Sequence, residues 1–356
     1  MSPWKTAVFS SFSCLLLLRC SYAVIPVEHY GDDCITNWLQ CAIETASFSD
    51  LRLRQPTGNY VNSSKDGSWT FCWDNFSQFG ATVALAAQIA HNESARNFTC
   101  SLLGAAQGIL EWQLQHLWRN DSIGGFFAAA LSDGSYVDTT VQYTDDNALA
   151  GVILLESRVL LLQAPLSQFA GSSALAKQCL SVAKRCANWL IQPQSGAWDW
   201  QQGSTGGFWW NVSTQQQEEA PCQGVHMKPD NSASLAMLLF TQLWLLNEMD
   251  EALHWATTSA SWMRSALYNS SVGLLNWYMD QSGGVNHAHF AYSNAIAARA
   301  HYLLGTNLGN DTLSQQGLQL LAQLDQTFWT ALNSSPPSGD VVNLKCLTQA
   351  ARTCQL

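Results

Sequence analysis

The sequence predicts an all-α fold in which helical hairpins form two concentric rings. Strand patterns are scarce along the 356 residues, whereas apolar residues recur at helical spacing. Two kinds of helix alternate: some are apolar on most faces, as expected for an interior position, and the others are amphipathic. No Pro/Ser-rich or strongly charged linker divides the chain, so we expect a single domain.

Nine segments have the length and apolar spacing of helices. Four contain long apolar stretches with small residues, over 76–89, 149–155, 233–246 and 295–304, which suits an inner position. The stretch 174–190 is amphipathic and represents the outer type. The loops are long and rich in Gly, Trp, Asn and Asp, which is typical of functional loops. The predicted helices cover residues 33–48, 75–91, 96–118, 146–163, 172–192, 230–247, 250–268, 290–304 and 312–333.

The first 23 residues have the pattern of a signal peptide. Lys5 precedes an apolar run from Ala7 to Leu18, and small residues up to Ala23 end it. The run is short for a membrane span, with a signal anchor as the alternative interpretation, and no later stretch has the length of a span. We therefore expect residues 1–23 to be removed. Residues 24–356 would form a single secreted domain, monomeric, without a membrane span, and extracellular or in a cell wall.

Composition supports export and argues against a nucleic-acid partner. Only 12% of the residues are charged, which predicts a glycoprotein surface kept soluble partly by glycans. The net charge of −10 is the wrong sign for binding phosphates. Glycosylation sequons begin at Asn62, Asn75, Asn92, Asn97, Asn120, Asn211, Asn269, Asn310 and Asn333.

Cysteine spacing predicts disulfide bonds but not their connectivity. Of 11 cysteines, Cys14 and Cys20 precede the expected cleavage site, which leaves an odd number. Members of the pairs Cys34/Cys41 and Cys179/Cys186 are seven residues apart, which on a helix is about 10 Å of rise and too far for a bond within either pair. Each would therefore need a partner elsewhere in the chain.

The adjacent aspartates Asp145 and Asp146 are the strongest catalytic candidates. Aspartates at a helix start usually cap it, because they accept hydrogen bonds from free amides and complement the helix dipole. Here the following helix is apolar enough to lie inside, so its start would open into the ring. Adjacent carboxyl groups can lie about 5–5.5 Å apart, the separation of a retaining glycosidase. Repulsion and partial burial would keep one of them protonated.

Aromatic loops supply candidates for sugar binding. Trp209 and Trp210 follow two glycines, and indole faces pack on the C–H surfaces of sugars, although tryptophans that fill the core under a loop are an equal alternative. Tyr292 heads another inner helix. Asp230 is interpreted mainly as a helix cap with a substrate contact as the lesser alternative, Asp199 as either of the two, and the pair Asp32-Asp33 as a cap or exposed turn.

Motifs of other enzyme classes are missing from the sequence. It contains no Cys-x-x-Cys zinc pattern, no Gly-x-Ser-x-Gly nucleophile elbow and no Gly-rich phosphate loop. His287 and His289 flank one alanine, which is weak evidence for a metal. We expect neither a metal nor another cofactor.

An ordered set of short motifs resembles glycoside hydrolase family 76, the α-1,6-mannanase family of bacteria and fungi. The resemblance covers residue 30 to about 330, and none of the motifs is specific alone. They are Gly67-Ser68-Trp69 with Trp73, Tyr143-Thr144-Asp145-Asp146-Asn147-Ala148, Gly206-Gly207-Phe208-Trp209-Trp210-Asn211, Lys228 with Asn231, and Tyr292-Ser293-Asn294.

The resemblance implies an (α/α)6 barrel that hydrolyses α-1,6-mannan with retention and without a metal. It makes Asp145 the nucleophile and Asp146 the acid/base, with Trp209, Trp210, Asn231 and Tyr292 binding substrate. Two alternatives remain open: a non-catalytic mannan-binding wall protein, or a transglycosylase that acts on mannan or on mannose-containing glycolipid anchors.

Two departures from the family pattern carry expectations of their own. Leu149-Ala150-Gly151 replaces a bulky aromatic stretch, which predicts an altered or wider site. A full ring needs twelve helices and the patterns give nine, so we expect the C-terminal helices of the barrel to be missing, as in a truncated or alternatively spliced product.

Overall fold

The computed structural model describes residues 43, 53–61, 69–201, 206–213 and 226–329. The predicted signal peptide, the pair Asp32-Asp33, the end of the last predicted helix and all but residue 43 of the predicted helix over 33–48 lie outside these residues.

Eight helices form within the described ranges, and they agree closely with the predicted segments. Most boundaries differ from prediction by one to three residues, and the helix predicted over 290–304 runs four residues further. The helices are α1 Cys72–Ile89, α2 Arg96–His116, α3 Thr144–Leu162, α4 Ser172–Ile191, α5 Asp230–Leu245, α6 Ala252–Ala266, α7 Ala291–Leu308 and α8 Asp311–Leu324, followed by a π-helical turn over Asp325–Trp329.

The helices pair as the alternation of apolar and amphipathic segments predicts. Each odd-numbered helix packs against the next even-numbered one as a hairpin, and α1, α3, α5 and α7 pack side by side in that order. α3 and α5 are buried on nearly every face, whereas α4, α6 and α8 expose one side. The four hairpins are successive sectors of an (α/α)6 barrel, with the odd-numbered helices on the inside.

Small residues let the inner helices approach closely. A Cβ atom on Gly151 of α3 would lie 2.7 Å from the side chain of Leu239 on α5, and one on Gly80 of α1 would lie 2.9 Å from Ile153 on α3. The stretch Leu149-Ala150-Gly151 is buried. Its small residues therefore serve the packing of α3 against α5.

Within the described ranges, nine strands of two or three residues form in the loops, which the sequence patterns did not predict. The strands are β1 Trp69–Phe71, β2 Ala129–Leu131, β3 Val141–Tyr143, β4 Asn211–Ser213, β5 Met227–Pro229, β6 Tyr268–Asn269, β7 Leu274–Leu275, β8 Tyr278–Asp280 and β9 Val285–Asn286. All pairings are antiparallel: β1 with β2, β3 with β4, β5 with β8, β6 with β7, and β8 with β9. Strands this short have no readable alternation of side chains, so only the fold reveals them.

No cysteine of the described segments forms a disulfide bond. Cys72, Cys100, Cys179 and Cys186 are all free thiols. The predicted disulfide bonds of Cys179 and Cys186 are therefore not observed. Burial raises the pKa of both thiols to about 12, which keeps them protonated and unreactive. Within the same segments, no helix is long and apolar enough to cross a membrane.

Candidate active site

The four inner helices begin at the same end of the barrel, each directly after an extended residue or short strand. Their second residues are Trp73, Asp145, Asn231 and Tyr292. Equivalent positions on neighbouring parallel helices point their side chains in similar directions. Three of the six residues predicted to form the site therefore occupy one structural position, repeated around the mouth of the barrel.

A buried asparagine fixes the loops beside three of these helices. Asn75, Asn147 and Asn294 are the fourth residues of α1, α3 and α7. The Asn147 side chain accepts a hydrogen bond from the Phe126 backbone N–H at 2.6 Å and donates to the carbonyl oxygens of Phe126 and Tyr143. Asn75 and Asn294 hold Tyr60 and Leu275 in the same way. This repeated contact, the asparagine clamp, orients the loops that surround the helix starts.

Asp145 is buried and well supplied with hydrogen-bond donors. Its Oδ2 accepts from Asn231 Nδ2 at 2.7 Å and from Trp210 Nε1 at 3.1 Å, and its Oδ1 accepts from the backbone N–H of Asp146. Burial raises the pKa of this carboxyl to about 6, and the three hydrogen bonds oppose that rise. The charged form of Asp145 is therefore favoured by its donors and by the N-terminus of α3.

Asp146 has the opposite environment. Its side chain is partly exposed, and no donor among the described residues bonds to its carboxyl group. Burial raises its pKa well above the ordinary value, and the charges of Asp145 and Asp74 raise it further. These effects favour the protonated form of Asp146, whereas the donors around Asp145 favour its charged form.

Trp210 connects α3 to the loop that contains Gly206, Gly207, Phe208 and Trp209. The Thr144 backbone N–H donates to the Trp210 carbonyl at 2.8 Å, and the Trp210 N–H donates to Met227. The Trp210 ring lies 5.1 Å from that of Tyr143, measured between ring centroids. These contacts hold the indole N–H at Asp145.

Trp209 lies above a buried ion pair. Lys228 Nζ is 2.5 Å from Asp199 Oδ2, donates to the Gly206 carbonyl at 2.7 Å, and lies 4.4 Å from the centroid of the Trp209 ring. Both charged residues are buried, so the pair is shielded from solvent. Lys228 thereby holds the Trp209 ring in position through a cation–π contact.

Glycine is required at position 207 of this loop, where the backbone lies against Trp262. Gly207 has φ +96°, and a Cβ atom there would lie 2.4 Å from the Trp262 ring. The neighbouring backbone pairs as Asp199 N–H to Gly207 O and Trp209 N–H to Ala197 O, both at 2.9 Å. These bonds pair the segment that contains Trp198 with the segment that contains Trp209.

Asp230 is the first residue of α5 and is fully buried. Its Oδ2 lies within hydrogen-bonding distance of Ser293 Oγ on α7, and no described residue forms a hydrogen bond with its Oδ1. Burial raises its pKa to about 8, so the neutral acid is the main form at neutral pH. Its neighbour on α7, Tyr292, is half-buried with its ring 6.1 Å from that of Phe290.

The structure brings most of the predicted site residues to one end of the barrel. Asp145, Asn231 and Trp210 are in direct contact, and Asp146 is adjacent. Trp209 contacts Lys228, which precedes α5. Tyr292 is the second residue of α7, the position that Asp145 occupies in α3. Their roles in binding or catalysis remain predictions.

Two features were not predicted from the sequence. Asp74 is the third residue of α1, as Asp146 is the third residue of α3, and each is followed by a clamp asparagine. This repeated Asp-Asn pair was a readable signal. The ion pair of Lys228 with Asp199 had none, because its partners lie far apart in the chain and meet only in the fold.

No protein-family model and no curated protein matches this chain. Solved structures do. One is a family 76 glycoside hydrolase from a bovine Bacteroides thetaiotaomicron strain, with a TM-score of 0.63 and 16% identity, over 82% of this chain and 57% of that one. This chain thus spans little more than half the length of that protein.

Another is an inactive variant of a family 76 α-1,6-mannanase from Salegentibacter sp. HEL1_6, in complex with α-1,6-mannotriose. Two consecutive aspartates are replaced by asparagine in that variant. The TM-score is 0.55 at 13% identity, over 86% of this chain and 72% of that one. The chain has a fold like that of glycoside hydrolase family 76.

The family 76 fold is shared with other sugar-converting enzymes. A D-mannose isomerase matches with a TM-score of 0.64 and 16% identity, over 88% of this chain and 74% of that one. At such identities the likeness to the family 76 enzymes concerns the fold alone. Function has to be argued from the residues at the mouth of the barrel.

Proposed function

We propose that this protein is a glycoside hydrolase that cleaves α-mannosidic bonds with retention, using Asp145 as nucleophile and Asp146 as acid/base. The observation that carries the proposal is the contrast between two adjacent carboxyl groups at one helix start. One accepts three hydrogen bonds and the other accepts none from the described residues.

A nucleophilic carboxylate has to be ionised before substrate reacts. Asp145 meets this need because Asn231 and Trp210 donate to its Oδ2 and favour the charge. The same two donors fix the orientation of the carboxylate. Its Oδ1, which also accepts from the backbone, is the oxygen without a side-chain donor and is the better placed to attack.

An acid catalyst has to keep a proton until the leaving group needs it. Asp146 meets this need because burial and two neighbouring negative charges disfavour its ionisation. Its partial exposure leaves the carboxyl group accessible to a bound glycoside. The two environments thus favour the different protonation states that retaining hydrolysis requires.

The reaction proceeds in two displacements. Asp145 attacks the anomeric carbon while Asp146 gives its proton to the glycosidic oxygen, so the bond to the leaving sugar breaks and a glycosyl ester of Asp145 forms. Asp146, now a carboxylate, takes a proton from water as the water oxygen attacks the anomeric carbon. The ester breaks, and both aspartates return to their starting states.

Mannan with α-1,6 linkages is the substrate we infer. The support is the fold shared with mannanases, one of which binds α-1,6-mannotriose when two consecutive aspartates are replaced. Asp145 and Asp146 are also consecutive. Trp209, held over Lys228, provides an indole face for a sugar ring. We further propose that the protein acts outside the cell, where such polysaccharides are found.

The test is hydrolysis of α-1,6-mannotetraose by wild type and by Asp145→Asn and Asp146→Asn. We expect shorter products from wild type and a loss of at least about 10³-fold in kcat/KM for each variant. Asp311→Asn, an exposed change on α8, is the matched control and should retain full activity. Retention is checked by the anomeric configuration of the first product.

Three outcomes would contradict the proposal. Wild type and Asp145→Asn could be equally inert and still bind mannan, which would indicate a binding protein. Longer products formed with an added acceptor would indicate a transglycosylase. A ketose formed from free mannose would indicate an isomerase.

A further inference from the structure

Asp230 is a buried acid that the proposed reaction does not use. It starts α5, is 0% exposed, and its backbone N–H donates to the Trp277 carbonyl at 2.7 Å. One of its carboxyl oxygens contacts Ser293 Oγ on α7, and the other is buried without a hydrogen-bond partner among the described residues. An ionised carboxylate in such a place would be very costly.

The contacts of Ser293 favour a protonated Asp230. Ser293 Oγ is within hydrogen-bonding distance of both Asp230 Oδ2 and the Phe290 carbonyl, the latter at 3.2 Å. A serine hydroxyl has one hydrogen to donate. Both contacts are therefore hydrogen bonds only if Asp230 donates its own proton to Ser293 while Ser293 donates to Phe290. With a neutral Asp230 both bonds form. With an ionised Asp230, Ser293 has one hydrogen for two acceptors, and one of the two bonds is lost.

The residue after Asp230 contacts the nucleophile. Asn231 Nδ2 donates to Asp145 Oδ2 at 2.7 Å, and Asn231 Oδ1 accepts from the Ser232 backbone N–H at 2.9 Å. The amide is therefore oriented by the first turn of α5. Any shift of that turn moves the donor away from Asp145.

We propose that protonated Asp230 is a positioning residue: through Ser293 it ties the start of α5 to α7 and so holds Asn231 against Asp145. The role rests on the proposed function, since it sets the nucleophile of that reaction. Asp230 itself contacts neither the proposed nucleophile nor the acid/base in the described structure.

The protonation state of Asp230 is governed by its burial. Burial raises its pKa to about 8, and the contact with Ser293 and the nearby backbone N–H groups oppose that rise. No charged neighbour is among these causes. The titratable groups on the segments around it are Lys228 on β5, Asp145 on α3, Arg264 on α6, Tyr278 and Asp280 on β8, His289 before α7, and Tyr292 on α7.

The experiment is a carboxyl ¹³C NMR titration of Asp145 in wild type, Asp230→Asn and Asp230→Ala, with the signal assigned by its loss in Asp145→Asn. Well below pH 8 Asp230 is mainly neutral, so in that range its replacement removes little charge from the site. We expect Asp230→Ala to raise the pKa of Asp145 by about one unit, the scale of one charge-assisted hydrogen bond. Asp230→Asn, which can still bond to Ser293, should leave that pKa near the wild-type value.

A pH profile supplies the functional readout. If Asp230 positions the nucleophile, kcat of wild type falls through pH 8 as Asp230 ionises, and Asp230→Asn extends activity to higher pH with little change in KM. A merely structural role would not move this limb. Ser293→Ala removes the tether without touching Asp230 and should reproduce the effect of Asp230→Ala, even if the latter fails to fold.

The possible failures can be told apart. A protein that is inert on mannosides but shows the expected NMR shifts would contradict the proposed function and leave the tether standing. An unchanged pKa of Asp145 in Ser293→Ala and in folded Asp230→Ala would overturn the inference, whatever the activity. So would an Asp230→Asn variant that behaves like the alanine variant.

Discussion

Two residues of the same type, adjacent in the chain, differ because their neighbours differ. Asp145 is bonded by Asn231 and Trp210, whereas Asp146 faces only negative charge from Asp145 and Asp74. Both carboxyl groups have raised pKa values, because Asp145 is buried and Asp146 is largely removed from solvent. The hydrogen bonds decide which of them ionises first.

Replacing Trp210 with phenylalanine tests this contrast. The change keeps the ring but removes the N–H that donates to Asp145, so the carboxylate loses support and its pKa should rise above about 6. Because Asp145 has to be ionised to act, the acidic limb of the kcat/KM profile should move to higher pH. We expect roughly a tenfold loss of activity at pH 6 and a smaller loss at pH 7.5.

Trp209→Phe is the matched control for that variant. Its ring contacts Lys228 rather than Asp145, so the acidic limb should stay in place while KM for the mannoside rises. An unshifted limb in Trp210→Phe, or equal shifts in both variants, would show that the indole N–H does not tune the nucleophile.

At the level of elements, the inner helices all begin in the same way, directly after an extended residue or a short strand. The sequence predicts their cores correctly, because apolar runs with small residues such as Gly151 identify an interior helix. It does not predict the short strands, since two or three residues carry no periodicity. It also misses the ion pair of Lys228 with Asp199, which depends on two loops meeting. Local chemistry was readable, and contacts between distant segments were not.

The asparagine clamp should contribute strongly to stability. Asn294→Ala removes three hydrogen bonds and leaves the buried N–H of Leu275 unpaired. We expect the free energy of unfolding to fall by about 2–4 kcal/mol, which denaturant titration measures. Asn307→Ala on the same helix is the control: its side chain makes one exposed bond, and the change should cost less than about 1 kcal/mol. Equal losses in the two variants would show that the clamp is unimportant.

At the scale of the whole molecule, buried acids make stability depend on pH. The pKa values of Asp145 and Asp230 are raised to about 6 and about 8, and the pKa of Asp146 is raised well above that of an ordinary carboxyl group. The folded state therefore binds protons more tightly than the unfolded chain. The contribution is complete below pH 4 and is lost as pH rises through the folded values.

The free energy of unfolding should thus be higher at pH 5 than at pH 8. Each group contributes at most about 1.4 kcal/mol per pH unit between its unfolded and folded pKa. Urea titrations at the two pH values measure the difference. A variant with asparagine at 145, 146 and 230 should show a much flatter dependence, and a slope equal to that of wild type would exclude these residues as its source.

The clamp at Asn75 also bears on how the chain matures. Asn75 begins a glycosylation sequon with Phe76 and Ser77, yet its amide nitrogen donates to the carbonyl oxygens of Tyr60 and Phe71 and is fully buried. A glycan on that nitrogen would leave no room for α1 beside its loop. In a chain that enters a secretory compartment, folding and oligosaccharide transfer therefore compete for one atom, and only molecules that fold around Asn75 before it is modified can complete the barrel.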